Sequence, residues 1–298
     1  MKPDLSGVKR VPSDILHVSQ IHPCFSIEGH GRSGRIHLPV SPACNIQCKF
    51  CMRSFNKTEN RPGVASSVLA PQDALEMLEK ALLLCPGITV AGIAGPGDPL
   101  ATDHALRTFE LIDAAYPDMI KCLSTNGLNL PDKAERIAEI GIRTVTVTVN
   151  AVQPEILARL CSHVIINNRV LNGIDAASHL IEAQLQGIGK ITTLGAVVKV
   201  NTVLAPGIND QHISEIAKAT ARAGASMINI IPLIPQYELN EHPGPDCHQV
   251  QQARDAAEKY LPVFRHCMQC RADAAGVPGI SEFRHLLYTD SPLAFSHG

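Results

Sequence analysis

Three cysteines fall within eight residues, Cys44-Asn-Ile-Gln-Cys48-Lys-Phe-Cys51, directly after an apolar, strand-like stretch at 35–40. No other feature constrains the chain as much. Thiolates at this C-x3-C-x2-C spacing wrap one tight loop around a cubane iron–sulfur cluster. Three ligands for four irons leave one iron open, as a catalytic metal site requires and a closed structural site does not. A structural zinc ion and three unrelated thiols are the plainer alternatives. Zinc motifs favour paired C-x2-C units with two further ligands, and this stretch lacks that pairing.

Composition sets the surroundings. The 298 residues suit one large domain, and α/β barrels commonly reach this size as single domains. Hydrophobic residues make up 45%, enough for a sizeable core, whereas aromatics are only 4% with no tryptophan, which argues against base-stacking platforms. A net charge of −2 gives no broad basic surface, so nucleic acid is not expected as a partner. The start, Met1-Lys-Pro-Asp-Leu-Ser-Gly, has no apolar signal core, and no apolar run approaches a membrane span. Ten cysteines in such a chain point to metal or redox chemistry in a reducing, cytoplasmic compartment rather than to a disulfide framework.

Strand and helix signals alternate along the chain. Stretches 35–40, 88–94, 120–125, 144–150, 191–204 and 227–234 are rich in β-branched or apolar residues and bounded by Gly, Pro or Asn. Helix-like stretches lie between them. One starts at Pro71 and repeats Ala74, Leu75, Leu78 and Leu82 at helical spacing; the others cover 103–115, 132–140, 173–185, 210–223 and 247–260. Six βα units in a row predict parallel strands with right-handed crossovers. Six is too few for the eight-unit closed barrel and fits an open, partial barrel. Residues 1–34 and 263–298 read as extensions around a barrel spanning 35–262.

In parallel α/β architectures the reacting groups sit on loops at the carboxyl ends of the strands. The triplet follows the first strand. Gly95, Pro96, Gly97 and Asp98 follow the second, where glycines let backbone approach a ligand and carbonyls accept from an ammonium group. Ser124, Thr125 and Asn126 close the third strand in a polar patch suited to a ribose or carboxylate, and Asn150 closes the fourth. Singly, Gly/Pro loops and an Asn-Gly are ordinary turns. Their coincidence with strand ends makes them candidates for ligand binding.

The triplet, with Phe50 before its last cysteine, resembles the radical S-adenosylmethionine (SAM) superfamily, in which SAM binds the open iron through its amino and carboxylate groups. A longer series of segments resembles one family within it. These are Ile21-His-Pro-Cys24, Arg35-Ile-His37, the triplet, Glu59-Asn-Arg-Pro-Gly63, Gly92-Ile-Ala-Gly-Pro-Gly-Asp-Pro99, Cys122-Leu-Ser-Thr-Asn-Gly127, Pro206-Gly-Ile-Asn-Asp210 and His266-Cys-Met-Gln-Cys-Arg-Ala-Asp-Ala-Ala-Gly276. In that order they resemble the NifB family of nitrogenase cofactor biosynthesis proteins. The chain ends soon after the last block, which implies the compact form without the carboxy-terminal extra domain of many bacterial members.

The resemblance implies a partial (βα)6 radical SAM barrel and a specific reaction. Two auxiliary [4Fe-4S] clusters are joined into an eight-iron core with a central carbide, and an additional sulfur is incorporated. One SAM donates a methyl group; another is cleaved reductively to a 5'-deoxyadenosyl radical that abstracts a methyl hydrogen. Cys44, Cys48 and Cys51 hold the radical cluster, and Gly95, Pro96, Gly97, Asp98, Ser124, Thr125, Asn126 and Asn150 line the SAM site. Cys24, His37 and Cys122 hold one auxiliary cluster, and Cys267 and Cys270 the other. Glu59 becomes a candidate for gating the open iron or handling a proton. The partners implied are an iron–sulfur cluster donor, an electron donor such as ferredoxin, and a downstream cofactor carrier or maturation scaffold.

Read without the resemblance, Cys24 is a small buried hydrophobe, Cys122 and His37 are strand residues of a core, and Cys267-Met-Gln-Cys270 is a redox or zinc pair. Cys85, Cys161 and Cys247 have no matching role and read as packing or surface thiols. The family pattern is broken once. A further cysteine six residues after the triplet is replaced here by Lys57, which leaves Cys267 and Cys270 with a third ligand of another kind, or with a loosely held cluster. Two other functions fit the triplet alone: a radical SAM enzyme modifying a peptide or small molecule, and a non-enzymatic iron–sulfur scaffold. A scaffold has no need of the SAM loops.

Overall fold

A computed structural model describes residues 21–288 and 294–297; residues 1–20 of the amino-terminal extension, and 289–293 and 298 of the carboxy-terminal one, lie outside the described residues. Six parallel strands form an open half-barrel: β1 (Gly34–His37), β5 (Ile88–Ile93), β6 (Ile120–Thr125), β7 (Thr144–Thr148), β10 (Val197–Leu204) and β11 (Met227–Pro232). They lie in spatial order β11-β10-β7-β6-β5-β1, and β12 (Ala275–Gly276) adds an antiparallel edge beside β1. The expected strands at 88–94, 120–125 and 144–150 are therefore present to within two residues.

Helices cover the outer face: α1 (Pro71–Leu84), α2 (His104–Ala115), α3 (Leu130–Glu139), the short α4 (Pro154–Leu157), α5 (Gly173–Thr193), α6 (Ile213–Ala223) and α7 (Cys247–Glu258). In α1 the buried residues Ala74, Met77, Leu78 and Ala81 recur at helical spacing behind a first-turn proline, so one stripe faces the sheet. An Asp246–Gln249 capping box starts α7. The sequence reading put a helix over 173–185 and a strand over 191–204; the structure moves that boundary. Leu180, Gln184, Ile188 and Ile191 continue one buried stripe, so α5 runs on to Thr193 and the strand starts at Val197. Gly195, at φ +93°, makes the turn between them.

Two small sheets, neither anticipated from the sequence, flank the barrel mouth. One joins β2 (Ile46–Cys48), β8 (Cys161–Ile166) and β9 (Arg169–Asn172); the other joins β3 (Arg53–Asn56), β4 (Val64–Ala65) and β13 (Ala294–His297). A terminal turn, α8 (Arg284–Leu287), packs near α1.

Strand alternation separates core from cavity. Leu123, Val145, Val147, Val198, Val200, Ile228 and Ile230 point outward into the main core with the helices. The residues between them point inward and are polar: Cys122 and Ser124, Thr146 and Thr148, Lys199 and Asn201, and Asn229. A parallel sheet buried on both faces ordinarily reads as continuous apolar sequence. Polar residues at alternate positions mark an inner face built for a ligand.

Candidate active site

The inner face encloses a cavity of about 340 Å³ at the carboxyl ends of the strands. The register of the sheet explains which groups meet there. His37, Gly92, Cys122 and Thr144 form one row across β1, β5, β6 and β7; Ser124, Thr146 and Lys199 form the next row, on β6, β7 and β10. A Cβ on Gly92 would stand 3.0 Å from the His37 ring, a tight contact, so glycine there leaves the imidazole room. His37 Nδ1 lies 3.1 Å from the Arg271 carbonyl. A carbonyl can only accept, so Nδ1 carries the proton and Nε2 keeps its lone pair. Burial, and then the Arg35 charge, lower the His37 pKa to about 4. A neutral imidazole with a carbonyl behind it is the form that binds metal.

The triplet loop is held from two sides. β2 carries Cys48 and pairs with β8, placing Cys161 opposite Cys48. On the other side Gly97 packs so closely on the loop that a Cβ there would overlap the Ala43 carbonyl. Gly97 N–H donates to Ser41 O at 2.8 Å and Asp98 N–H to Ala43 O at 2.9 Å. The close backbone approach expected of this glycine loop is thus made to the cysteine loop. The Gly95–Pro96 peptide bond is cis. Asp98 is buried, and its carboxylate accepts from Asn126 N–H (2.5 Å), Leu100 N–H (2.8 Å) and Thr125 Oγ1 (3.0 Å). Asn126 in turn donates to Asn45 Oδ1 at 2.7 Å and lies 3.8 Å from Cys44 Sγ. The two strand-end loops and the triplet form one hydrogen-bonded unit. Burial raises the Cys44 thiol to about 12, with Asp98 adding to the shift, and pushes Cys48 and Cys51 up as well.

The cavity lining includes all eight candidate iron ligands: the triplet, Cys24, His37, Cys122, Cys267 and Cys270. Pro96, Gly97, Asp98, Ser124, Thr125, Asn126 and Asn150 line it too; Gly95 does not. Glu59 does not line it. Its carboxylate is 2.6 Å from Arg61 Nη2 and accepts from Ser54 and Asn56 in the loop after the triplet. Burial pushes the Glu59 carboxyl up, but Arg61 and the hydroxyl and amide donors outweigh it and hold the pKa below the usual range. Among the described residues, no three His, Cys, Asp or Glu side chains converge on a single metal-ion position. A cubane takes one thiolate on each of several irons, so its ligands need not converge on one point; of the candidate thiols, Cys267 is exposed and the other six are half-buried.

Four groups in the cavity wall escaped the sequence reading. Lys199 Nζ donates to Cys24 O at 2.7 Å, and Arg35 Nη2 lies 3.2 Å from Cys270 Sγ. Gln184 on α5 donates to Asn126 O and Thr148 O, while its buried Oε1 has no partner. Cys161, which reads from the sequence as a packing or surface thiol, is buried and also lines the cavity. Alternation along β10 was the available signal for Lys199: a lysine among Val198, Val200 and Val203 has to face somewhere polar.

The carboxy-terminal segment is fastened by one buried ion pair. Arg271 and Asp273 are 1% and 0% exposed and pair at 2.8 Å; Asp273 accepts from Ser66 N–H, and Arg271 donates to the carbonyls of Asn56 and Glu59. This clamp sets the C-x-x-C pair against the cavity.

A profile of the Radical SAM superfamily matches residues 38–220, which takes in the triplet and four of the six parallel strands, β5, β6, β7 and β10. FeMo cofactor biosynthesis protein NifB of Methanocaldococcus infernus is 46% identical over 267 residues, covering 89% of this chain and 88% of that protein. The chain belongs to the NifB family. The Klebsiella pneumoniae member is 42% identical over 279 residues, and this chain covers 59% of its length. Among solved structures, a radical SAM methyltransferase from Sphaerobacter thermophilus superposes with a TM-score of 0.54 at 18% identity, over 77% of this chain and 65% of that one, a likeness of fold. Membership of the superfamily implies a [4Fe-4S] cluster and SAM, and the half-buried triplet lining the cavity beside an adjoining polar cradle fits both. Membership of the NifB family places the chain in nitrogenase cofactor biosynthesis. Among the described residues no helix is long and apolar enough to cross a membrane.

Proposed function

We propose that the chain is a radical SAM carbide synthase, of lyase and transferase type, that joins two [4Fe-4S] substrate clusters into an eight-iron, carbide-centred precursor of the nitrogenase cofactor. One observation carries this reading: five candidate ligands beyond the triplet line the same cavity as the triplet. Joining two clusters around one SAM carbon requires all of them within one enclosure.

The roles follow from the geometry. Cys44, Cys48 and Cys51 hold the radical cluster, which when bound supplies the electron that splits SAM. Asp98 fixes the loops at 95–98 and 124–126 against the triplet, so backbone groups of Gly95, Pro96 and Gly97 and the side chains of Ser124, Thr125, Asn126 and Asn150 present a rigid polar cradle to SAM. Cys24, Cys122 and His37, through Nε2, hold one substrate cluster. An imidazole leaves iron more readily than a thiolate does, which suits a cluster that must be given up. Cys267 and Cys270 hold the other. Lys57 brings no thiolate to it, and His30 and His266, whose rings stand 5.2 Å apart in the same cavity wall, are the candidate nitrogen ligands. Glu59, tied to Arg61, becomes available to the open iron only by leaving that pair. The partners required are an iron–sulfur cluster donor, a ferredoxin-type electron donor and a downstream cofactor carrier or maturation scaffold, in a reducing, cytoplasmic compartment.

The test is a product inventory under anaerobic turnover. The reading predicts S-adenosylhomocysteine, from methyl donation, together with 5'-deoxyadenosine, from reductive cleavage, and predicts that Cys24→Ala abolishes the first. Formation of 5'-deoxyadenosine alone, unchanged in Cys24→Ala, would favour modification of a peptide or small molecule instead.

A further inference from the structure

Lys199 is 5% exposed on the inner face of β10. A buried ammonium requires compensation. Here it receives one backbone carbonyl, Cys24 O at 2.7 Å, and the faces of two rings, Phe25 at 4.7 Å and Phe264 at 5.2 Å. No ion pair to Lys199 occurs among the described residues, whereas the other buried cation of the cavity, Arg35, has the Glu282 carboxylate at 3.7 Å. One carbonyl and two rings are a thin shell for a buried ammonium. Lys199 also stands beside the row His37–Gly92–Cys122, and it opposes the rise of the Cys24 and Cys122 thiols that burial causes. A cation without a carboxylate, facing two cysteines and a neutral imidazole, is complementary to an anion.

We propose that Lys199 is the charge anchor of the site formed by Cys24, His37 and Cys122: its ammonium fixes the Cys24 loop through the backbone carbonyl and offsets the negative charge that thiolates and bridging sulfides bring into the cavity. This rests on the reading of those three residues as cluster ligands. Net charge, hydrogen bonding and burial set the potential of an iron–sulfur cluster. Removing a nearby buried positive charge makes adding an electron harder, so the potential falls. The neutral imidazole ligand leaves this site less anionic than a full set of thiolates, and Lys199 carries it further in that direction, which favours the reduced cluster.

The test uses the full chain, reconstituted anaerobically, with Lys199→Met, Lys199→Arg and Cys24→Ala. The signal of interest in a redox titration followed by electron paramagnetic resonance is the one that Cys24→Ala removes; the triplet's signal in the same sample is the internal reference. Lys199→Met is expected to shift the midpoint of the first signal to more negative potential and lower its occupancy severalfold, with the reference unmoved, and Lys199→Arg to restore the parent midpoint. A parent midpoint and occupancy in Lys199→Met overturn the proposal. So does a loss of occupancy in both variants with no shift in midpoint, which would reduce Lys199 to a tether for the loop. If Cys24→Ala removes no signal from the parent protein, the cluster assignment itself has failed, and that outcome is distinct from the other two.

Discussion

The two ends of the cavity present cysteines in different electrostatic settings. At the triplet end, the buried Asp98 carboxylate adds to the burial-driven rise of Cys44 and Cys48, while Arg53 and Arg61 oppose the rise of Cys51; at the other end, Cys24, Cys122 and Cys270 face the buried cations Lys199 and Arg35. Asp98 adds to the upward push on Cys44, whereas Lys199 opposes the push on Cys24. The construction differs too. The three ligands of the triplet end lie within one short stretch of sequence, partly on β2, although their braces come from β8 and from the 95–98 and 124–126 loops. The other end is assembled from the amino-terminal segment, β1, β6, β10 and the carboxy-terminal segment, over separations of up to 241 residues, as in Arg35 with Gly276. A resident catalytic cluster belongs in the end whose ligands are local in sequence. On the proposed function, the substrate clusters would occupy the end stitched from separate segments, where Lys199 and Arg35 supply positive charge.

The sharpest way to break this division is Cys48→Ala. It should abolish 5'-deoxyadenosine formation while leaving iron at the other end, read by metal analysis and electron paramagnetic resonance; turnover at the parent rate would end the assignment of the triplet. Next in size is Arg271→Leu. It leaves Asp273 as an unpaired buried charge, at a cost of about 3–5 kcal/mol, and frees the segment carrying Cys267 and Cys270. Chemical denaturation should show the loss, together with release of iron from the non-triplet end only. If stability drops and all iron is lost in proportion, the two ends are not separable.

The fold was legible where periodicity is strong and local. Runs of β-branched and apolar residues bounded by Gly, Pro or Asn mark β5, β6 and β7, and the triplet marks the chemistry, because its ligands are neighbours in sequence. The end of α5 was misplaced because Ile188 and Ile191 satisfy helix and strand patterns alike in a short window. The sheets formed by β2 with β8 and by β3 with β13 depend on pairing between distant three- or four-residue segments, too short to carry a period. Lys199 and Arg35 went unread for a related reason. Their meaning lies in what register places beside them, and a lysine on a strand carries no label for its partner.

Asp98→Ala probes the bracing of the triplet end with a smaller effect. Three donors lose their acceptor, so a cost of about 2–3 kcal/mol is expected, with a higher KM for SAM and no change at the Cys24 site. Equal loss of iron at both ends would count against the comparison. Smallest is Glu59→Gln. Because the folded Glu59 pKa lies below the ordinary carboxylate value, its stabilising pair with Arg61 is complete at neutral pH and fades as pH falls through the lowered value. The side chain is 42% exposed, so the cost at neutral pH should stay below about 1 kcal/mol. The gain of stability with rising pH should vanish in the variant when both are unfolded in urea between acid and neutral pH.

The central claim is that carbon from SAM ends inside an iron cluster held by this protein, and labelled SAM tests it most directly. With carbon-14 in the SAM methyl group and substrate clusters loaded anaerobically, the account predicts label that co-purifies with protein-bound iron and leaves only when the cluster is extracted. Label found entirely in a soluble product or on an amino-acid side chain, with 5'-deoxyadenosine still formed, would contradict it.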